Sequence, residues 1–425
     1  MWKIGDERYA RAMSTTVERN VAPRVLEALD DTRIVVIQGA RQVGKSTLAT
    51  QIAVERGGKV VTLDDEDARF QAEADPAAFV GQNPDGLLVI DEVQRVPRLT
   101  LALKRAVDTS PAPGRFLLTG SANLLQLPAT EDSLAGRAES VELHGFSQGE
   151  IAGHKERFID RILAGETFDG YTTEATRPDY LAVAEKGSYP DALSRATPRR
   201  RARWLANYVG RVTTRDAEDI STLKHISALP TILRLVAART ATELNVSNLA
   251  SDLEMPRRTL DPYLDLLDAL YLTHRTPAWA TNLSKRVVSR PKIIMLDTGL
   301  SAYLAGVSST APPTADQAGQ LLETLVAGEI KRQLSWCEEQ ASLFHYRDHA
   351  GAEVDLILAT PDGRVVGLEI KAASGAKLAD AKWLAMLRDK LGDRFVGGVV
   401  LHTGTTAGSL GDRLMSAPID LIWKV

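Results

Sequence analysis

The sequence predicts an α/β protein in three parts: a parallel sheet over residues 1–150, a helical middle region over 151–307, and a second α/β unit over 319–425. Three observations predict it. Residues Arg33–Thr47 read as a β-branched strand that breaks into glycine and closes on lysine and two hydroxyl residues, the order of strand, loop and helix. A second apolar strand, Leu87–Ile90, delivers Asp91 and Glu92 at its carboxyl end. Beyond a Pro/Ser/Thr-rich stretch, one helix is followed by three strand-like segments, a helix and another strand.

At 425 residues, with a net charge of −4 and 44% hydrophobic residues, the chain is long enough for about two to four domains with ordinary cores. No stretch approaches the ~20 apolar residues of a membrane helix, and Met1–Asn20 carries scattered charge with no signal-peptide core. A cytoplasmic location with no membrane partner is expected. Cys337, the only cysteine, excludes an intrachain disulfide and a cysteine-built metal site.

Val21, Val25, Leu26 and Leu29 have helical spacing, so a helix is expected beside the first strand, Ile34–Ile37. Gly39, Ala40, Arg41, Gln42, Val43, Gly44, Lys45 and Ser46 fit G-x-x-x-x-G-K-[ST] at every fixed position, with Thr47 following. The glycines let successive N–H groups point inward at a helix N-terminus, which makes a cradle for a triphosphate. Lys45 would reach the β- and γ-phosphates, and the Ser46 hydroxyl would supply one ligand to magnesium. ATP and Mg2+ are the expected cofactors. Lys59–Leu63 reads as a second strand, and the acidic cluster Asp64–Asp67 after it as a solvated turn.

In Gly86–Pro97 the buried strand places its two acids where parallel sheets bind ligands. Asp91 would hold magnesium, and Glu92 would polarise the attacking water as general base. A third strand, Arg115–Thr119, ends near Ser121 and Asn123, polar residues that serve equally as turn formers. Arg137 precedes the expected last strand, Ser140–Phe146. It could face a γ-phosphate in its own subunit or a neighbour's, the feature that brings a homo-oligomer into consideration, or serve as a surface ion pair.

The ordered run of Gly39–Ser46, Leu87–Glu92, Leu117–Asn123 and Leu134–Arg137 resembles bacterial and archaeal AAA-type ATPases with a C-terminal nuclease-like domain of unknown function. The resemblance covers nearly the whole chain. It implies a P-loop NTPase sheet with a polar sensor at Ser121 or Asn123, a helical region with a winged helix, and a restriction-endonuclease-like end.

In the middle region, Arg199, Arg200, Arg201 and Arg203 could touch phosphates or solvate a helix end, and Tyr208–Ile220 is assigned no chemistry. Leu249 and Leu253 on one helix, then Leu260, Leu264, Leu267 and Leu270 on the next, have helix-turn-helix spacing, with Leu283–Leu296 as the expected wing. Between Pro256 and Lys292 stand Arg257, Arg258, Arg275, Lys285, Arg286, Arg290 and Lys292 against Asp261, Asp265 and Asp268, a local +4 in a chain of −4. DNA is the partner this charge suits; a rigid lid or subunit contact is the other reading.

After the Ser308–Ala318 loop, the expected order is helix Leu321–Trp336, strands at Ser342–Arg347, Ala352–Ala359 and Val365–Ile370, helix Leu378–Leu391, and strand Val396–His402. Within it, Glu353-Val354-Asp355 and Glu369-Ile370-Lys371 resemble the split D…ExK signature of restriction-endonuclease-like domains. Strand alternation puts Glu369 and Lys371 on one face. Asp355 and Glu369 would hold magnesium, Lys371 would orient a water for phosphodiester attack, and Glu329 or Glu323 would complete the site. A charged cross-strand trio that cleaves nothing fits the same letters.

Overall fold

The computed structural model describes residues 17–121, 134, 136–221, 223, 226–280 and 289–425. Strands β1 (Ile34–Gln38), β2 (Lys59–Thr62), β3 (Leu88–Asp91), β4 (Phe116–Gly120) and β5 (Ala138–Glu142) form a wholly parallel sheet in the order β2-β3-β4-β1-β5. The central strands are apolar on both sides because both faces are covered. Val35, Ile37, Val89 and Leu117 face Leu48 and Ile52 of α2 (Lys45–Arg56) and Val25 and Leu29 of α1 (Ala22–Asp31). Ile34, Val36, Leu88, Ile90 and Leu118 face Leu99, Leu103 and Val107 of α3 (Leu99–Thr109). The order puts β4 between β1 and β3, so the end of β4 lies between the glycine loop and the two acids. The acidic cluster is the expected turn: Asp65 caps the next helix by accepting from the Ala68 N–H, and Asp64 pairs with Arg95.

The middle region packs onto the α1–α2 side of this sheet. Helix α4 (Pro198–Arg211) runs into a π-helical turn, Val212–Asp216. There follow α5 (Leu229–Ala237), β6 (Thr242–Glu243), α6 (Val246–Asp252), α7 (Arg257–Ala269), β7 (Thr273–Thr276) and β8 (Lys292–Met295). The three strands are antiparallel in the order β6-β8-β7. The partners of β8 are therefore β6 and β7 and not a strand beginning at Leu283; residues 281–288 lie outside the described residues.

The C-terminal unit is a mixed sheet in which strands Gly408–Gly411, Leu414–Pro418, Phe395–His402, Val365–Lys371, Glu353–Ala359 and Ser342–Arg347 lie side by side in that order. Helix α8 (Ala315–Gln333) is capped by Thr314 and Gln317, and it precedes β9 (Ser342–Arg347), β10 (Glu353–Ala359) and β11 (Val365–Lys371). Helix α9 (Lys382–Leu391) and β12 (Phe395–His402) follow. Two strands went unread, β13 (Gly408–Gly411) and β14 (Leu414–Pro418), because glycine, serine and proline hide their pattern. The expected 151–307 unit is also divided by packing: Phe158, Ile159, Ile162, Tyr180 and Ala184 are buried with Leu325, Leu368 and Leu401 of the C-terminal core. Among the described residues no helix is long and apolar enough to cross a membrane.

Candidate active site

The glycine loop is shaped by steric necessity. A Cβ at Gly39 would lie 2.0 Å from the Leu143 carbonyl oxygen beside β5, so only glycine lets β1 turn there. Gly44, at φ +98°, starts α2 in the left-handed region that favours glycine. The Lys45 ammonium donates to the carbonyls of Gly39 (3.1 Å) and Ala40 (2.8 Å). Burial brings its pKa down to about 8, against the opposing pull of Glu92 and Asp91, so it stays largely cationic at neutral pH. Thr47 is exposed on the first turn of α2.

Sequence-distant groups brace the loop from outside. Arg19 donates to the Val43 carbonyl at 2.8 Å, and the same guanidinium pairs with Glu150 at 3.1 Å. The Arg41 guanidinium meets Asp216, on the π-helical turn, at 3.0 Å, and the Tyr208 hydroxyl donates to the Arg41 carbonyl at 3.4 Å. The Tyr208–Ile220 segment, read as chemically silent, thus touches the loop directly.

Asp91 sits where three strand ends meet. Ser46 Oγ donates to its Oδ1 at 2.7 Å, Thr119 Oγ1 to the same oxygen at 2.5 Å, and Thr62 Oγ1 to Oδ2 at 3.1 Å. Glu92 follows at φ +57°, a conformation that costs a non-glycine residue on the order of 1 kcal/mol. Its backbone N–H donates to Thr119 Oγ1 at 3.0 Å, and its carboxylate accepts from Gln94 and from Ser121 Oγ at 3.4 Å. The strained backbone is held by these contacts. Sequence reasoning named Ser121, which meets Glu92, but did not name Thr119, Thr62 or Gln94. A hydroxyl closing each of the runs KVVT and FLLT was the available signal. Asn123 lies outside the described residues.

Of the readings open for Arg137, position removes the γ-phosphate of its own subunit, and the ion pair is present. Arg137 precedes β5, whose Ala138 is in register with Ile34, so it lies at the amino edge of a parallel sheet whose carboxyl edge carries the loop. A five-residue strand is roughly 17 Å long. Its guanidinium is held by both oxygens of Asp108, at 2.6 and 3.1 Å. From there it does not face a γ-phosphate on its own loop.

The C-terminal residues form a different constellation. Asp355 accepts from the Ile370 N–H at 2.8 Å, and Lys371 donates to Glu369 at 2.6 Å, as strand alternation requires. Glu369 Oε2 is buried without a hydrogen-bond partner, and burial with the neighbouring Asp355 pushes that carboxyl above the usual carboxylate range. The helix acid beside them is Glu323. Glu329 is corrected: it accepts from the Gln148 N–H at 3.0 Å and pairs with Arg332 at 3.2 Å. Among the described residues no set of three or more His, Cys, Asp or Glu side chains converges on a metal position. Instead the Lys292 ammonium stands among Glu323 (2.6 Å), Glu353 (3.5 Å) and Asp355 (3.6 Å).

That placement also revises the basic stretch. Lys292 is buried, and Arg275 is held by Asp265 and Asp268 at 2.6 and 2.5 Å. Arg257 and Arg258 are exposed at the start of α7, and Arg257 and Arg290 line a recess with Asn245, Ser247 and Ser289. Lys285 and Arg286 lie outside the described residues.

Comparison with known proteins fits this division. Residues 31–152 match the family model of an AAA domain. That match spans the N-terminal sheet, and further along the chain two domains of unknown function match, DUF8612 over 177–311 and DUF4143 over 318–422. Over 416 residues the chain is 27% identical to the uncharacterized proteins Rv2008c of Mycobacterium tuberculosis and Mb2031c of Mycobacterium bovis, covering 97% of this chain and 86% of each of theirs. Among solved structures, RuvB of Thermotoga maritima is 22% identical over 64% of this chain and 90% of its own, with a TM-score of 0.26. AMPPCP-bound DnaA of Aquifex aeolicus is 16% identical over 59% and 86%, with a TM-score of 0.28.

Proposed function

We propose that this protein binds and hydrolyses ATP in the cytoplasm as an AAA-type ATPase, with Lys45, Ser46, Asp91 and Glu92 as its working residues. The observation that carries the proposal is the hydrogen-bonded run Ser46–Asp91–Thr119–Glu92, which joins the phosphate loop to the two strand-end acids. A hydroxyl and a carboxylate 2.7 Å apart are hard oxygen donors that fit magnesium, which keeps several waters and takes few protein ligands. Bound magnesium would supply charge neutralisation for the phosphates. The chain's own contribution is positioning: the loop N–H groups and Lys45 hold the triphosphate, Thr119 fixes Asp91 and Glu92 relative to each other, and Glu92 orients water and takes its proton.

Steady-state phosphate release tests this. Lys45→Ala and Glu92→Gln are each expected to abolish turnover, and wild-type rates in either variant would sink the assignment. One round of cleavage without turnover would favour the second reading, a nucleotide-switched binding module.

The rest of the chain supports two further parts of the proposal. The order helix, β6, α6, α7, β7, β8 with sheet order β6-β8-β7 suits a winged helix, and exposed Arg257 and Arg258 at the start of its second helix suit DNA phosphates. Charge reversal at both is expected to weaken DNA affinity and flatten its salt dependence; unchanged binding would make this element a lid. The C-terminal order α8, β9, β10, β11, α9, β12 suits a restriction-endonuclease-like fold, with Asp355, Glu369 and Lys371 where its signature would stand. An ATP-gated, magnesium-dependent nuclease is the alternative for that domain, and nicking lost on Asp355→Ala with Glu369→Ala would establish it. Since Arg137 lies at the far edge of the sheet, we assign any arginine acting on the γ-phosphate to another subunit of a homo-oligomer, to be checked by light scattering with nucleotide.

A further inference from the structure

The acids expected to gather a metal ion already surround a cation that belongs to the chain. Lys292 opens β8, the central strand of the middle sheet, where it is in register with Glu243 on one side and Thr276 on the other. Its backbone position is therefore fixed by two ladders. Its side chain, 1% exposed, leaves that sheet and ends between α8 and β10, within 3.6 Å of Glu323, Glu353 and Asp355. A register irregularity between Val354 and Ile357 interrupts the regular pairing of β10 with β9 beside these acids. The remaining polar contacts of the acids are few: Asp355 takes the Ile370 N–H, and Glu353 has a half-exposed Arg347 at 3.6 Å.

Backbone bonds next to Lys292 join the two units. The Trp279 N–H donates to the His345 carbonyl at 2.6 Å, the His345 N–H to the Pro277 carbonyl at 3.0 Å, and the His345 ring meets the Arg290 carbonyl at 3.0 Å. The lysine thus enters the cluster from a sheet already stitched to β9. Carboxylate oxygens that hold a divalent ion approach it to about 2.0–2.6 Å. An ammonium 2.6 Å from Glu323 takes up that same space and repels a second cation.

We infer that Lys292 is the built-in cation of the Glu323–Glu353–Asp355 cluster, clasping the middle sheet to the C-terminal domain and excluding a divalent metal while the clasp is closed. The inference departs from the metal-site expectation for these residues and is independent of how the phosphate loop works. Metal reaches this cluster only if β8 withdraws.

The test is Mn2+ binding by titration calorimetry and electron paramagnetic resonance on the nucleotide-free full chain, comparing wild type with Lys292→Gln and Lys292→Ala, each with and without Asp355→Asn. Wild type is expected to show no Asp355-dependent Mn2+ binding up to about 1 mM, and Lys292→Gln to gain a site at least about tenfold tighter that Asp355→Asn removes. Asp355-dependent binding in wild type overturns the inference, as does a folded Lys292→Gln that binds no Mn2+. Should both lysine variants unfold, Asp355-dependent refolding with Mn2+ upholds it. Without such rescue the wild-type titration decides, its Asp355-dependent uptake overturning the inference and the lack of it upholding it.

Discussion

The phosphate loop and the Glu323–Glu353–Asp355 cluster each set a buried lysine near acids, and they differ in where that lysine comes from. At the phosphate loop, Lys45 lies in the same loop that it serves, and hydroxyls from β2, β4 and α2 satisfy Asp91. In the C-terminal unit, Lys292 arrives from another sheet and is itself the partner of the acids. The first arrangement leaves the acids hydrogen-bonded with the lysine local, so a charged ligand can be met without taking domains apart. In the second, the charges neutralise one another across a domain boundary, so the cluster holds structure together. Residue types alone do not distinguish a working site from a clasp; the origin of the counter-charge does.

The sharpest break of this comparison sets the two lysines side by side. Lys292→Gln removes one partner of a buried ion cluster and is expected to cost about 3–5 kcal/mol in denaturant unfolding, with turnover per folded molecule retained. Lys45→Ala should do the reverse, abolishing turnover with little change in unfolding midpoint. Equal stability losses at both sites would dissolve the distinction.

Thr119→Val should come next. It deletes the hydroxyl that joins Asp91 to the Glu92 backbone, leaving a buried acceptor short of a partner at about 1–3 kcal/mol. We expect kcat to fall more than nucleotide affinity, with recovery in Thr119→Ser; an unchanged kcat would reduce Thr119 to a core residue.

A smaller effect tests the other buried acids. Burial, with Glu329 next, pushes the Glu156 carboxyl from 4.5 up to about 8. The folded chain then binds that proton more tightly than the unfolded chain, so the contribution is complete below the unfolded carboxyl range and fades as pH rises through about 8. Melting temperature should decline across that window, and Glu156→Gln should flatten the decline; identical pH profiles would remove Glu156 from the account. Smallest of all is Arg137→Ala, for which the ATP turnover of isolated subunits should be unchanged, since the arginine sits at the opposite edge of the sheet from the loop. A large loss there would restore it as a phosphate-facing group.

Much of the fold was legible because its elements announce themselves locally. The runs Ile34–Ile37, Leu88–Ile90 and Phe116–Leu118 are apolar throughout, as strands covered on both faces must be, and Ser342–Arg347 was read to the residue. The helix bearing Glu323 and Glu329 was also read, but not which acid serves the C-terminal cluster. Six positions apart on a helix is about 240° of rotation, so the two acids face different neighbours. Glu329 meets Gln148 and Arg332, and Glu323 meets Lys292. Likewise Lys292 counted among surface charges in the sequence, although it is buried in the fold.

By itself the sequence determined the phosphate loop, the two strand-end acids and the succession of α/β, helical and α/β parts, because each is written in contiguous residues whose backbone preferences and periodicity act over a few positions. Only the tertiary structure decided that β4 lies between the loop and Asp91, that Asp216 and Arg19 brace the loop, that Arg137 stands at the wrong edge, and that Lys292 fills the second cluster. Those outcomes depend on strand order and on which surfaces pack together. The partner of a charge is set by proximity in space, and proximity between distant residues exists only once the chain has folded.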